Sequence, residues 1–132
     1  LAILFPEAQF TLIDARSKKI TAVNEFIEQL GLSNVTARHI RADELKGDFD
    51  FIVSRAVTNL ADFTRWVPRL IKPGFVHGQA KGIIYLRGMD FSFNDINDEI
   101  SDHFDCNRII HLDKTFELDF FSSKKVVFLQ RL

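Results

Sequence analysis

The sequence predicts an α/β fold on a mostly parallel sheet that finishes in an antiparallel C-terminal hairpin. Three observations predict it. Strand-like and helix-like stretches alternate through residue 100, the pattern of right-handed βαβ units. The central stretch Asp48-Phe49-Asp50-Phe51-Ile52-Val53-Ser54-Arg55-Ala56-Val57 holds an apolar run that does not alternate. Such a run fits a strand buried on both faces, with helices on both sides of the sheet. Finally, two strand-like runs end the chain with no convincing helical pattern between them.

In order, Leu1-Ala2-Ile3-Leu4 has no N-cap and is stopped by Pro6, so it reads as the end of a helix whose beginning is absent. Gln9-Phe10-Thr11-Leu12-Ile13 is a strand ending at Asp14. Between Ser17 and Leu30, the residues Ile20, Val23, Ile27 and Leu30 recur at helical spacing, and Gly31 follows as the C-terminal cap. Asn34 to Ile40 is the next strand, closed by Arg41-Ala42-Asp43-Glu44. After the central strand, Leu60, Phe63, Val67 and Leu70 mark a second amphipathic helix, capped by Asn59 with Asp62 in its first turn. Pro68 should kink this helix, and Lys72-Pro73-Gly74 ends it. A loop containing His77-Gly78-Gln79 leads to a strand from Gly82 to Leu86, followed by Arg87-Gly88. Phe93, Ile96 and Ile100 suggest a shorter third helix, and Asn107 to Leu112 and Lys125 to Gln130 are the closing strands. The connection between them is long and rich in Phe.

Composition narrows the function classes. A chain of 132 residues makes one domain with a real core. The net charge of −1 leaves no global basic field, so any electropositive surface for nucleic acid is local or comes from a missing segment. The single Cys106 excludes an internal disulfide and makes a reducing, cytoplasmic compartment the default. No run approaches the ~18 apolar residues of a membrane span. His39, His77, His103 and His111 are scattered without ligand spacing, so no metal is expected.

The residues that could carry chemistry follow three successive strands: Asp14, then Asp43 with Glu44, then Arg55. In a doubly wound sheet those ends line one edge, where ligands collect. An acid there can accept both ribose hydroxyls of a nucleoside cofactor; Asp14 could instead cap the following helix. Ala42 and Asp43 could flank an adenine, or the two acids could solvate a turn. Arg16, Lys18 and Lys19 could touch phosphate or form a solvated helix start, and Arg55 could cap a loop or pair with a carboxylate.

Four stretches fall in an order that is specific. They are Thr11-Leu12-Ile13-Asp14-Ala15-Arg16-Ser17-Lys18-Lys19, Leu30-Gly31-Leu32-Ser33-Asn34-Val35, Ser54-Arg55-Ala56-Val57 and Leu70-Ile71-Lys72-Pro73-Gly74. Together they resemble the bacterial small-subunit ribosomal RNA guanine-N7 methyltransferases, the glucose-inhibited division protein B family, over nearly the whole chain. The Ser-Arg-Ala-Val piece is the most specific, while Lys-Pro-Gly is shared by many methyltransferases.

The resemblance implies a Rossmann-like class I methyltransferase sheet, S-adenosylmethionine as cofactor, and small-subunit ribosomal RNA or the 30S subunit as partner. It puts the adenosine near Asp14 and the Ala42-Asp43 pair, and Arg55 at the cofactor pocket. It implies no catalytic acid or base. Arg16 and Arg87 become weaker candidates for RNA contact; the family usually has Leu-Lys-Gly where this chain has Leu86-Arg87-Gly88.

The family's first strand and its glycine-rich loop have no counterpart here, so residues 1–132 are expected to form a single methyltransferase domain incomplete at its N-terminus. The missing strand would sit between the strand ending at Asp14 and the one ending at Ser54. Two alternatives remain: an inactive fragment or interaction module of that fold, and a nicotinamide-dependent Rossmann oxidoreductase. The terminal hairpin and Ser54-Arg55-Ala56-Val57 disfavour the second. Without a glycine loop to let backbone approach the ligand closely, this polypeptide is expected to bind S-adenosylmethionine weakly or not at all. A calorimetric titration returning a micromolar constant would refute this.

Overall fold

The computed structural model describes residues 1–55, 59–88 and 91–132, so Ala56 and Val57 of the central motif lie outside the described residues. The chain forms two compact units, Leu1–Leu45 and Lys46–Leu132.

In the first unit, β1 (Phe10–Asp14) and β2 (Val35–His39) pair in parallel from Phe10↔Val35 to Asp14↔His39, joined by α1 (Ser17–Gln29). The expected helix stop is present. Gly31 sits at φ 60°, Leu32 N donates to Ile27 O at 3.0 Å, and Gly31 N donates to Glu28 O at 3.1 Å. Those two bonds satisfy carbonyls the helix leaves open, and only glycine reaches that φ without steric cost. Asn34 is buried and reaches back to residues 1–8: its Nδ2 lies 3.0–3.1 Å from the carbonyls of Ala2, Phe5 and Ala8. Residues 1–5 close a single turn through Phe5 N to Leu1 O rather than forming the tail of a helix.

The second unit is built on a four-stranded sheet in the order β3-β6-β8-β7. Its strands are β3 (Phe51–Arg55), β6 (Gly82–Gly88), β7 (Phe104–His111) and β8 (Lys124–Arg131). β3 and β6 are parallel, β6 and β8 antiparallel, and β8 and β7 form the antiparallel C-terminal pair that the sequence predicts. One face carries Ile83, Tyr85, Val127 and Leu129, all 5% exposed or less. It packs with Leu60, Phe63 and Val67 on α2 (Leu60–Trp66) and its C-terminal cap, and with Ile96 on α3 (Phe93–Glu99). The Phe63 and Tyr85 rings lie 5.9 Å apart.

Three expectations need correction here. Val53 is 46% exposed and, among the described residues, β3 is an edge strand, so the central apolar run is not covered on both faces. Leu86 and Ile110, on the same face as Val53, are 37% and 41% exposed; within this unit α2 and α3 lie on the other side of the sheet. Pro68 does not kink a continuous helix either. α2 stops at Trp66 and Pro68 opens a separate 3-10 turn, Pro68–Leu70, because proline has no amide to continue the ladder. Residues His77 and Gly78, read as loop, form the turn of a short hairpin between β4 (Phe75–Val76) and β5 (Gln79–Ala80). Both have positive φ, 50° and 78°, which matches the twist of paired strands.

The expected Asn59 cap is present, its side chain accepting from Asp62 N at 2.8 Å. At the start of α3, Ser92 with Asp95 forms a capping box that the helical spacing did not single out. The tightest constraint falls on Gly82, where a Cβ would lie 2.0 Å from Leu129 O on β8. Gly82→Ala therefore forces β6 and β8 apart and should cost about 1–3 kcal/mol. Denaturant unfolding that returns the parent's midpoint would refute that placement.

Candidate functional site

The first unit places Asp14 and the Arg41-Ala42-Asp43 segment past the carboxyl ends of two adjacent parallel strands. Asp14 is partly exposed and already engaged. Its Oδ1 accepts the Arg16 backbone N–H at 2.8 Å, and its Oδ2 faces Lys19 Nζ at 3.3 Å. The Arg16 N–H is the main reason its carboxyl titrates below the ordinary aspartate range, with Lys19 adding to it. Arg16 is the N-cap of α1 but offers no side-chain cap, so Asp14 takes over part of that work. The helix-capping alternative and the ligand reading therefore coexist, since each carboxylate oxygen keeps a second lone pair.

Asp43 is held by Arg41 in a two-pronged pair, Nε to Oδ1 at 2.9 Å and Nη2 to Oδ2 at 3.1 Å. Ala42 between them is half-buried. His39 ends β2, and its Nε2 donates to Ala15 O at 3.0 Å, joining the two strand ends. With Ala15, Arg16, Ser17, Lys18 and Lys19 it lines an open depression of about 630 Å³. Neither Asp14 nor Ala42 lines that depression, whose Arg and Lys side chains are of the kind that meets an anion.

In the second unit Arg55 and Arg87 end neighbouring parallel strands, with Arg55 opposite Leu86. Alternation then puts them on opposite faces. Arg55 shares the open face with Val53 and is exposed, and it forms no ion pair with a described residue. Arg87 is on the helix-covered face and is committed to structure. It pairs with Glu99 Oε2 at 2.5 Å and stacks 5.2 Å from the Phe91 ring centroid. Glu99 Oε1 also accepts Leu60 N at 3.3 Å, so one carboxylate fixes the end of β6, the end of α3 and the start of α2. Ser54, one residue before Arg55, is 7% exposed, and its hydroxyl has no hydrogen-bond partner among the described residues. Asp14, Ala42, Asp43 and Arg16 thus belong to the first unit, and Arg55 and Arg87 to the second.

A family model described as GidB, rRNA small subunit methyltransferase G, matches residues 1–90. The chain belongs to this family. That match runs through both compact units. The GidB-family relatives include proteins named ribosomal RNA small subunit methyltransferase G from Flavobacterium johnsoniae, 47% identical over 129 residues, and Bacteroides thetaiotaomicron, 41% identical over 131. Each comparison covers 98% of this chain, which spans 59% and 61% of those relatives' length. Among solved structures, the mitomycin 7-O-methyltransferase MmcR superposes with a TM-score of 0.67 over 99% of this chain and 44% of its own, at 13% identity. A mutant of MtNAS in complex with S-adenosylmethionine gives 0.58 over 98% of this chain and 58% of its own, also at 13% identity. The fold is the Rossmann-like one expected.

Within this family member, sequence reasoning missed two residues that position others. Asn34 lay inside a quoted motif yet works by pinning residues 1–8 in the first unit, and Glu99 organises three elements around Arg87 in the second; His39, read as surface or structural, joins strand ends. A polar residue seated at the end of an apolar pattern was the available signal. For Asp14 the ranking of causes is testable. In Lys19→Ala its carboxyl should still titrate below the ordinary aspartate range, because the Arg16 N–H remains. Its stability contribution is present above the unfolded midpoint and is lost as pH falls through the lowered folded one. Carbon-detected NMR titration showing an ordinary aspartate in that variant would overturn the ranking.

Proposed function

We propose that the protein is an S-adenosylmethionine-dependent methyltransferase acting on N7 of a guanine in small-subunit ribosomal RNA, in the cytoplasm, with the two units serving one methyltransferase domain. The observation that carries this is the family match across residues 1–90, which includes every proposed cofactor contact. Asp14 would hold the ribose diol, Ala42 and Asp43 the adenine edge, and Arg55 the region beside the reacting end. The bound cofactor would supply a methyl group on a sulfonium centre.

Guanine N7 offers a lone pair and no proton, so the chain's task is alignment and exclusion of water rather than proton transfer. Arg16, at the rim of the depression beside Asp14, and Arg87 are proposed RNA contacts. Arg87 is the weaker of the two, because Glu99 already holds it.

Radiolabelled methyl transfer to small-subunit rRNA, followed by nucleoside analysis, tests the reaction; label in any product other than N7-methylguanosine overturns it. Thermal melts with saturating S-adenosylmethionine, on a chain that also carries the family's glycine-rich loop, test the residues. Asp14→Asn can still accept the Arg16 N–H and should melt like the parent without cofactor, yet lose most of the cofactor-induced rise. Arg55→Ala should lower transfer through cofactor or RNA positioning. Full retention of affinity and rate in the Arg55 variant would remove that residue from the site.

A further inference from the structure

At the opposite end of the four-stranded sheet from Arg55 lies a second depression, of about 370 Å³, lined by Arg65, Trp66, Pro68, Arg69, His103 and Arg131. It is assembled from the end of α2, the Pro68–Leu70 turn, the residue before β7 and the end of β8.

Its basic groups outnumber the acids beside it. Arg131 is held by backbone oxygens, with Nε donating to Pro68 O and Ile71 O at 3.4 and 3.1 Å and Nη1 to His103 O at 3.0 Å and Leu132 O at 2.7 Å. These contacts fix the guanidinium in place. Arg69 donates to Trp66 O. Arg65 is 70% exposed and meets Asp62 only at 3.7 Å, a loose surface pair. Asp62 is the acid that meets this lining, through Arg65. The three guanidiniums give the depression a local positive field on a chain whose net charge is −1.

Guanidinium forks match phosphate oxygens, and a half-exposed indole among them offers a face on which a base can stack. We propose that this depression is a second RNA-binding site that grips the phosphodiester backbone of the substrate RNA, anchoring it away from the methyl-transfer site. The proposal rests on the RNA-substrate reading above. It answers where an almost neutral chain finds electropositive surface.

The test is binding of a small-subunit rRNA transcript across a salt series, by the parent chain and by Arg65→Glu/Arg69→Glu. Arg131 is left alone because it ties three carbonyls together. Removing one cation from a single-strand phosphate should flatten the slope of log affinity against log salt by about 0.7, so the double variant should be flatter by about 1.4 and bind more weakly at low salt. The conservative pair Arg65→Lys/Arg69→Lys should keep most of the slope. Arg65→Gln/Arg69→Gln reads the same change if charge reversal lowers the melting temperature.

An unchanged affinity and slope in the reversed pair overturns the proposal. So does retained RNA binding combined with an absence of stabilisation by inorganic phosphate that the parent shows, which would assign the depression to a free anion. Cofactor-induced melting shifts, read on the same substitutions in a chain that carries the family's glycine-rich loop, separate the two readings. A flattened slope without any cofactor shift upholds this site while counting against methyl transfer; a cofactor shift with the slope unchanged does the reverse.

Discussion

The parallel pairing of β3 with β6 is the constraint on which the second unit depends. It runs in register from Phe51↔Gly82 to Arg55↔Leu86, so both strands deliver their polar ends to one edge. It also fixes what lies on the other side of β6. β8 runs antiparallel and so close that Gly82 has no room for a side chain against Leu129 O. The sheet therefore changes direction at β6, and the rest of the unit follows from that change. β7 adds beyond β8, α2 and α3 cover the Ile83-Tyr85 face, and the α2 end that carries Arg65 and Trp66 falls at the opposite edge from Arg55.

The charged residues at the strand ends are part of the architecture before they meet any ligand. Asp14 takes the N–H of a helix N-cap that has no side chain to offer, Asp43 is clamped by Arg41, and Arg87 is clamped by Glu99. Exposed pairs of this kind stabilise the fold only slightly. Their effect is orientation: a carboxylate already held by one N–H presents its remaining lone pairs in a fixed direction. Arg87 shows the opposite consequence. A cation fixed between a carboxylate and the Phe91 ring must give up those partners to reach RNA, whereas Arg55 on the open face need not.

Burial within the second unit is uneven between the two faces, although Phe128, on the face of Val53, is only 9% exposed. Ile83, Val127 and Leu129 are completely covered, while Val53, Leu86 and Ile110 on the other face stay 37–46% exposed. Cys106 is on the covered side, where burial pushes its thiol up to about 11, and it stays protonated at neutral pH. Within the Phe-rich connection between β7 and β8, rings pack on one another. Phe121 sits 4.8 Å from Phe116 and 5.1 Å from Phe120, ring centroid to centroid.

What the sequence determined by itself was local. Helical spacing located α1, α2 and α3, Gly31 stopped α1, Asn59 started α2, and the final two runs became β7 and β8 within a few residues of their expected bounds. These depend on backbone conformation and on hydrogen bonds a few residues apart, which neighbouring residues encode directly. The family motifs were legible for the same reason, as contiguous strings. The tertiary structure decided which strand is an edge, which face stays open, and which charges are taken. An apolar run such as Phe51-Ile52-Val53 specifies that burial is favourable, not what supplies it. Asn34 reaching residues 1–8, Glu99 meeting Arg87 and Leu60, and Arg131 joining Pro68, Ile71 and His103 pair groups 12 to 63 positions apart. Such pairings exist only once strand order has brought those groups within hydrogen-bond reach.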